Sequence, residues 1–177
     1  MFHKILAAMD NSAIAKQVFD EALFLAKASQ ARLMLLHVLS SEEQGSPALP
    51  AFPNLAYSPM VSNELLTIYQ KRWQEFEQLG LELLHQAQDE ATRAGVSTEF
   101  TQNRGNPGRT ICELAQNWEA DLIILGRRGL SGLSELFMGS VSNYVLHHAP
   151  CSVLTVQHPI KISHSSGNQT REARIEK

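Results

Sequence analysis

No stretch of this 177-residue sequence approaches the roughly 20 consecutive apolar residues that a membrane-spanning helix requires, so no membrane partner is expected. The apolar run Ile5 to Met9 near the N-terminus is closed by Asp10, too soon for the core of a secretory signal, and the cytoplasm is the expected location. The 15 basic and 18 acidic residues give a net charge of −3. They are spread along the chain with no run of Lys and Arg to neutralise successive phosphates, which argues against nucleic-acid binding. Cysteine is nearly absent. Cys112 and Cys151 lie far apart, form no CxxC pair and have no histidine at ligand spacing, so they read as structural thiols. Two common phosphate loops are missing as well, since no GxGxxG follows the first strand and no lysine precedes Ser140.

What is there is an alternation of strand and helix. Phe2 to Met9 reads as a strand, and Asp10-Asn11-Ser12 as a turn or helix N-cap. Ile14, Val18, Ala22 and Leu25 then form one stripe of an amphipathic helix. Arg32 to Leu39 is a second strand. The segment 40–62 holds Pro47, Pro50, Pro53 and Pro59, and is read as a long insertion loop, a lid or a floppy connection. A long amphipathic helix follows, carried by Leu65, Ile68, Tyr69, Trp73, Phe76, Leu83, Ala87 and Ala91. Leu79 and Gly80 fill its one gap of seven residues, and Gly95 ends it. The aromatic stripe Tyr69, Trp73 and Phe76 reads as core.

Val96 to Thr101 suits a third strand, and Asn106-Pro107 opens a helix with a cap followed by proline at the first helical position. Leu122 to Leu125 is the apolar run of a strand buried on both sides. A last helix from Val141 to His148 is broken by Pro150, and Ser152 to Val156 forms a fifth strand. The pattern indicates a doubly wound parallel sheet with helices on both faces. One domain is expected over 1–158, with a disordered polar tail over 159–177.

The segment that carries chemistry joins the fourth strand to the last helix: Gly126-Arg127-Arg128-Gly129, nine further residues, then Gly139-Ser140. Glycines let backbone approach an anion, and the free amides and dipole of a helix N-terminus favour negative charge. Arg127 and Arg128 either remain solvated or supply one cation to the phosphates. Asp10, at the end of the first strand, faces the same crevice if the strand order reverses between strands 1 and 4. Its carboxylate would then accept from a ribose hydroxyl or help hold a metal ion, or it simply caps the first helix. Seven histidines offer no metal cluster, because only His147 and His148 are neighbours and they point about 100° apart on a helix. His37, in a buried strand, reads as a satisfied core histidine.

These residues resemble the universal stress protein family, over Phe2 to Gln157. The pattern Gly-x2-Gly-x9-Gly-[Ser/Thr] of its ATP-binding members stands complete as Gly126, Gly129, Gly139 and Ser140. Ile5 to Ser12 is similar to the family's first strand and loop, and Leu36-His37-Val38 to its second strand. The resemblance implies an adenine nucleotide α-hydrolase-like fold with a five-stranded parallel sheet of order 3-2-1-4-5. It also implies ATP with Mg²⁺, with phosphates along Gly126 to Val141, ribose at Asp10, and adenine between Met9 and Val38. A homodimer through strand 152–156 would follow too. The expected function is an ATP-binding stress-response regulator whose occupancy is read by a partner protein or dimer surface. A slow ATPase or phosphotransferase at the same site is an alternative, with Asp10 as its one candidate base. A nucleotide-free interaction module is another.

Overall fold

The structure is a computed structural model that describes residues 1–48, 59–127 and 139–157. Five strands, β1 (Lys4–Met9), β2 (Arg32–Leu39), β3 (Thr98–Arg104), β4 (Leu122–Gly126) and β5 (Ser152–Val156), make one sheet of order β3-β2-β1-β4-β5. Every neighbouring pair is parallel, with Ala8 beside Leu36 on one side and Leu125 on the other. The expected sheet and strand order are therefore present.

The period of two along each strand divides the core into two layers. Ile5, Ala7, Leu33, Leu35, Leu122 and Ile124 pack beneath α1 (Ala15–Ser29) and the second half of α2 (Pro59–Arg93). Leu6, Leu36, Val38, Ile123 and Leu125 pack against α3 (Pro107–Asn117) and α4 (Ser140–His148). Among the described residues no helix is long and apolar enough to cross a membrane.

Several local expectations shift. Ile14, with no side-chain cap, precedes α1. Asp10 instead accepts from the Ser12 amide at 3.1 Å and from the Ser12 hydroxyl, closing its own turn. Gly95, at φ +80°, ends α2 as expected. The Val96 amide then bonds back to the Ala91 carbonyl at 3.0 Å, so Val96 closes the helix end and β3 starts two residues later than the apolar run suggested.

Helix α2 begins at Pro59, inside the 40–62 segment, where proline is tolerated in a first turn. Its 35 residues extend about 50 Å, twice the length of the strands it covers. Among the residues of α2 whose burial is described, only Phe76, Gly80, Leu84, Ala87 and Ala91 are buried, all from the middle of the helix onward. Tyr69 and Trp73 are consequently half-buried, and they line a surface cleft with Leu39 and Arg104. The core reading of the aromatic stripe holds for Phe76 alone.

The Asn106 side chain accepts from the Arg109 amide at 3.1 Å, and Pro107 takes the first turn of α3. Asn106→Ala should lower stability by about 1 kcal/mol. Urea denaturation reads this as a lower midpoint at unchanged slope.

Candidate functional site

In a parallel sheet whose order reverses between two strands, their carboxyl ends open a crevice that the connecting loops cannot fill. Here that reversal lies between β1 and β4, and a pocket of about 860 Å³, counted out to its open mouth, sits there. Its walls include Met9, Asp10, Val38, Gly126, Gly139, Ser140 and Val141. The structure thus brings together seven of the residues singled out in the sequence, drawn from β1, β2, β4 and α4.

Arg127 is not among the lining residues; its guanidinium Nη1 donates to Gln157 Oε1 at 3.0 Å and its amide to the Val156 carbonyl at 2.7 Å. Arg128 and Gly129 lie outside the described residues, as do 49–58 of the insertion and the tail from 158 onward.

One end of the pocket is suited to an anion. Gly139 caps α4 with no side chain of its own, so among the described residues no capping side chain claims the first-turn amides of that helix, and the helix dipole places partial positive charge there. Ser140 lines the pocket at the same point. Ser142, one of the residues the sequence reading missed, is buried and donates its hydroxyl to the Gly126 carbonyl at 3.0 Å. That bond ties the first turn of α4 to the end of β4. Gly126 is required by packing as well, because a Cβ there would lie 2.6 Å from Ile14 Cγ2.

One stretch of the wall is acidic and was not anticipated beyond Asp10. Glu42 and Glu43 line it, supplied by a turn in which the Glu43 amide bonds to the Ser40 carbonyl at 3.2 Å and the Ser46 amide to the Glu43 carbonyl at 3.1 Å. Glu43 is buried. Its Oε1 lies 3.0 Å from His37 Nε2 and accepts from the Asn11 amide at 3.0 Å. Gln102 Nε2 lies 2.9 Å from His37 Nδ1 and donates to the Glu77 carbonyl at 3.0 Å. With the Gln102 amide oriented by Glu77, Nδ1 is the acceptor and Nε2 carries the proton that Glu43 receives. His37 is therefore the satisfied core histidine expected. The rest of the lining includes the apolar residues Ile14, Val18, Leu36, Val38, Ile111 and Leu125.

Other chemistry is thin. Among the described residues no group of three His, Cys, Asp or Glu is placed to hold a metal ion. Burial pushes the thiols of Cys112 and Cys151 up, which disfavours the reactive thiolate and fits a structural role.

A model of the universal stress protein family matches residues 1–157. A universal stress protein of Synechocystis sp. is 38% identical over 160 residues, covering 89% of this chain and 99% of the relative. Among solved structures, a universal stress protein in complex with cAMP aligns with a TM-score of 0.57 at 24% identity, over 88% of this chain and 97% of its own. A family protein from Arabidopsis thaliana with AMP bound aligns with a TM-score of 0.56 at 22% identity, over 93% and 97%.

Proposed function

The chain belongs to the universal stress protein family, and from that premise we propose that it is an ATP-binding regulatory protein whose occupancy is read by a protein partner or a second copy of the chain. The observation that carries the proposal is the polarity of the pocket. Its lining combines the acceptor carboxylates Asp10, Glu42 and Glu43, a set of apolar side chains, and the N-terminus of α4, which has no side-chain cap among the described residues. A nucleotide carries the three matching chemistries: amino and hydroxyl donors, a flat apolar base, and phosphates. The cAMP and AMP bound to the two aligned proteins support the same ligand class.

In this reading Met9 and Val38 flank the adenine and Asp10 accepts from the ribose. The amides at Gly139, Ser140 and Val141 hold phosphate together with Gly126 and Gly129, and Arg127 or Arg128 supplies positive charge. Mg²⁺ would arrive on the triphosphate, since it keeps several waters and is commonly held through substrate phosphates and one or two carboxylates rather than by an all-protein cage. Binding, rather than turnover, is the proposed role.

For occupancy to be a signal, ATP must bind two conformations unequally. The turn Ser40 to Ser46 is the element placed to respond, because Glu42 and Glu43 form part of the pocket wall. A thermal unfolding series with ATP tests the binding proposal. The midpoint should climb steadily with nucleotide concentration, as expected when a ligand binds only the folded state, and a midpoint indifferent to ATP contradicts it.

The second-copy surface we assign to β5. It is an edge strand of the sheet, and Leu154 on it and Leu146 on α4 are 36% and 42% exposed. Val153, by contrast, packs on the core. Leu154→Glu should therefore give a folded monomer by light scattering. A dimer that persists in this variant moves the interface to another face.

A further inference from the structure

The carboxylate of Glu43 is held as few surface-loop carboxylates are. Its side chain is 4% exposed, and four segments fix its Oε1: the Asn11 amide after β1, His37 on β2, Gln102 on β3 behind the histidine, and Gly80 on α2. Gly80 matters because any Cβ there would collide with His37 Nδ1 and Gln102 Nε2. Among the described residues, Glu43 Oε2 is the buried side-chain oxygen with no hydrogen-bond partner. A dry carboxylate oxygen is expensive to keep, and proteins satisfy nearly all such atoms. The residue also lines the pocket proposed for the nucleotide. Oε1 is used to hold the carboxylate still, and Oε2 is left with no donor from the protein among the described residues.

We propose that Glu43 Oε2 accepts a hydrogen bond from the nucleoside part of the bound nucleotide, making Glu43 a specificity-determining residue for ligands that carry an N–H or O–H there. The inference rests on the nucleotide reading of the pocket. Two groups on ATP have the required chemistry, the amino group of the base and a ribose hydroxyl. The phosphates do not, being acceptors, and the acidic wall would repel them. His37 and Gln102 are positioning residues that act through the carboxylate.

The test is calorimetric titration of the full chain and of Glu43→Gln with ATP, ITP, 2′-deoxy-ATP and 3′-deoxy-ATP. In the variant the amide oxygen keeps the bonds from His37 and Asn11, while an NH₂ donor replaces Oε2 and meets a donor. ATP should bind the variant about 10- to 100-fold more weakly. Wild type should lose a similar factor against one analogue: ITP if the base supplies the donor, in which case the substitution restores ITP binding because the new NH₂ donates to O6, or a deoxy analogue if the ribose does, for which the substitution should make little further difference. Equal wild-type affinity for all four nucleotides overturns the proposal even if the variant fails to fold. So does an equal loss in the variant for all four. Wild type that binds none of them overturns the nucleotide reading, and with it this inference.

Discussion

Gly139→Val should reduce ATP affinity by at least about 100-fold while leaving the protein folded. Gly139 caps α4 in extended conformation, φ −61° and ψ 153°, a geometry that any residue can adopt, so the backbone does not demand glycine there. The pocket does. Gly139 and Ser140 both line it where the first-turn amides of α4 would meet phosphate, and a β-branched side chain occupies that approach. Each charge-assisted hydrogen bond is worth roughly 1.5–3 kcal/mol, and losing two gives the stated factor. Equilibrium dialysis against labelled ATP, with circular dichroism as the control for folding, measures it. Wild-type affinity in the variant would place the phosphates elsewhere.

Gly80→Ala tests the fold behind the acidic wall, and its sign is the informative part. On an unencumbered helix the change stabilises by about 1 kcal/mol, because alanine is the better helix former. At this position the added Cβ overlaps His37 and Gln102, neither of which can retreat without breaking the bonds to Glu43 and to the Glu77 carbonyl. Overpacking of this kind typically costs 1–3 kcal/mol, and a broken buried hydrogen bond about as much again. A net loss of about 2–4 kcal/mol in urea denaturation is expected. A variant more stable than wild type would mean that α2 does not press on His37 as described.

Much of this architecture was legible in the sequence because local signals and global topology agree. The apolar run Leu122 to Leu125, the cap at Asn106-Pro107 and the left-handed Gly95 each specify one element, and the structure has each in place. The glycines at 126 and 139 and the carboxylate at Asp10 converge on one pocket because they stand at strand or helix ends around the reversal point.

What escaped the sequence depends on tertiary neighbours. Ser40-Ser41-Glu42-Glu43 reads as a solvated acidic turn, and nothing local says that Glu43 is buried; its partners come from residues 32 positions earlier, six earlier and, through the histidine, 65 further along from His37. The available clue was His37 itself, since a polar ring inside an apolar strand must find two partners. Gly80 was a second clue: the inward position in the gap of the α2 stripe is filled by a residue without a side chain, while Leu79 points out at 57% exposure. Tyr69 and Trp73 misled for the opposite reason. Their spacing is that of a core stripe, but helical periodicity does not reveal where the sheet beneath the helix stops.

The most direct test of the central claim, that the pocket between β1 and β4 holds an adenine nucleotide, is to purify the chain without added nucleotide, denature it, and identify by chromatography and mass spectrometry what it releases. The account expects an adenine nucleotide at about one per chain, and none from Gly139→Val. A protein that releases nothing, and that also fails to bind added Mg·ATP, would contradict it.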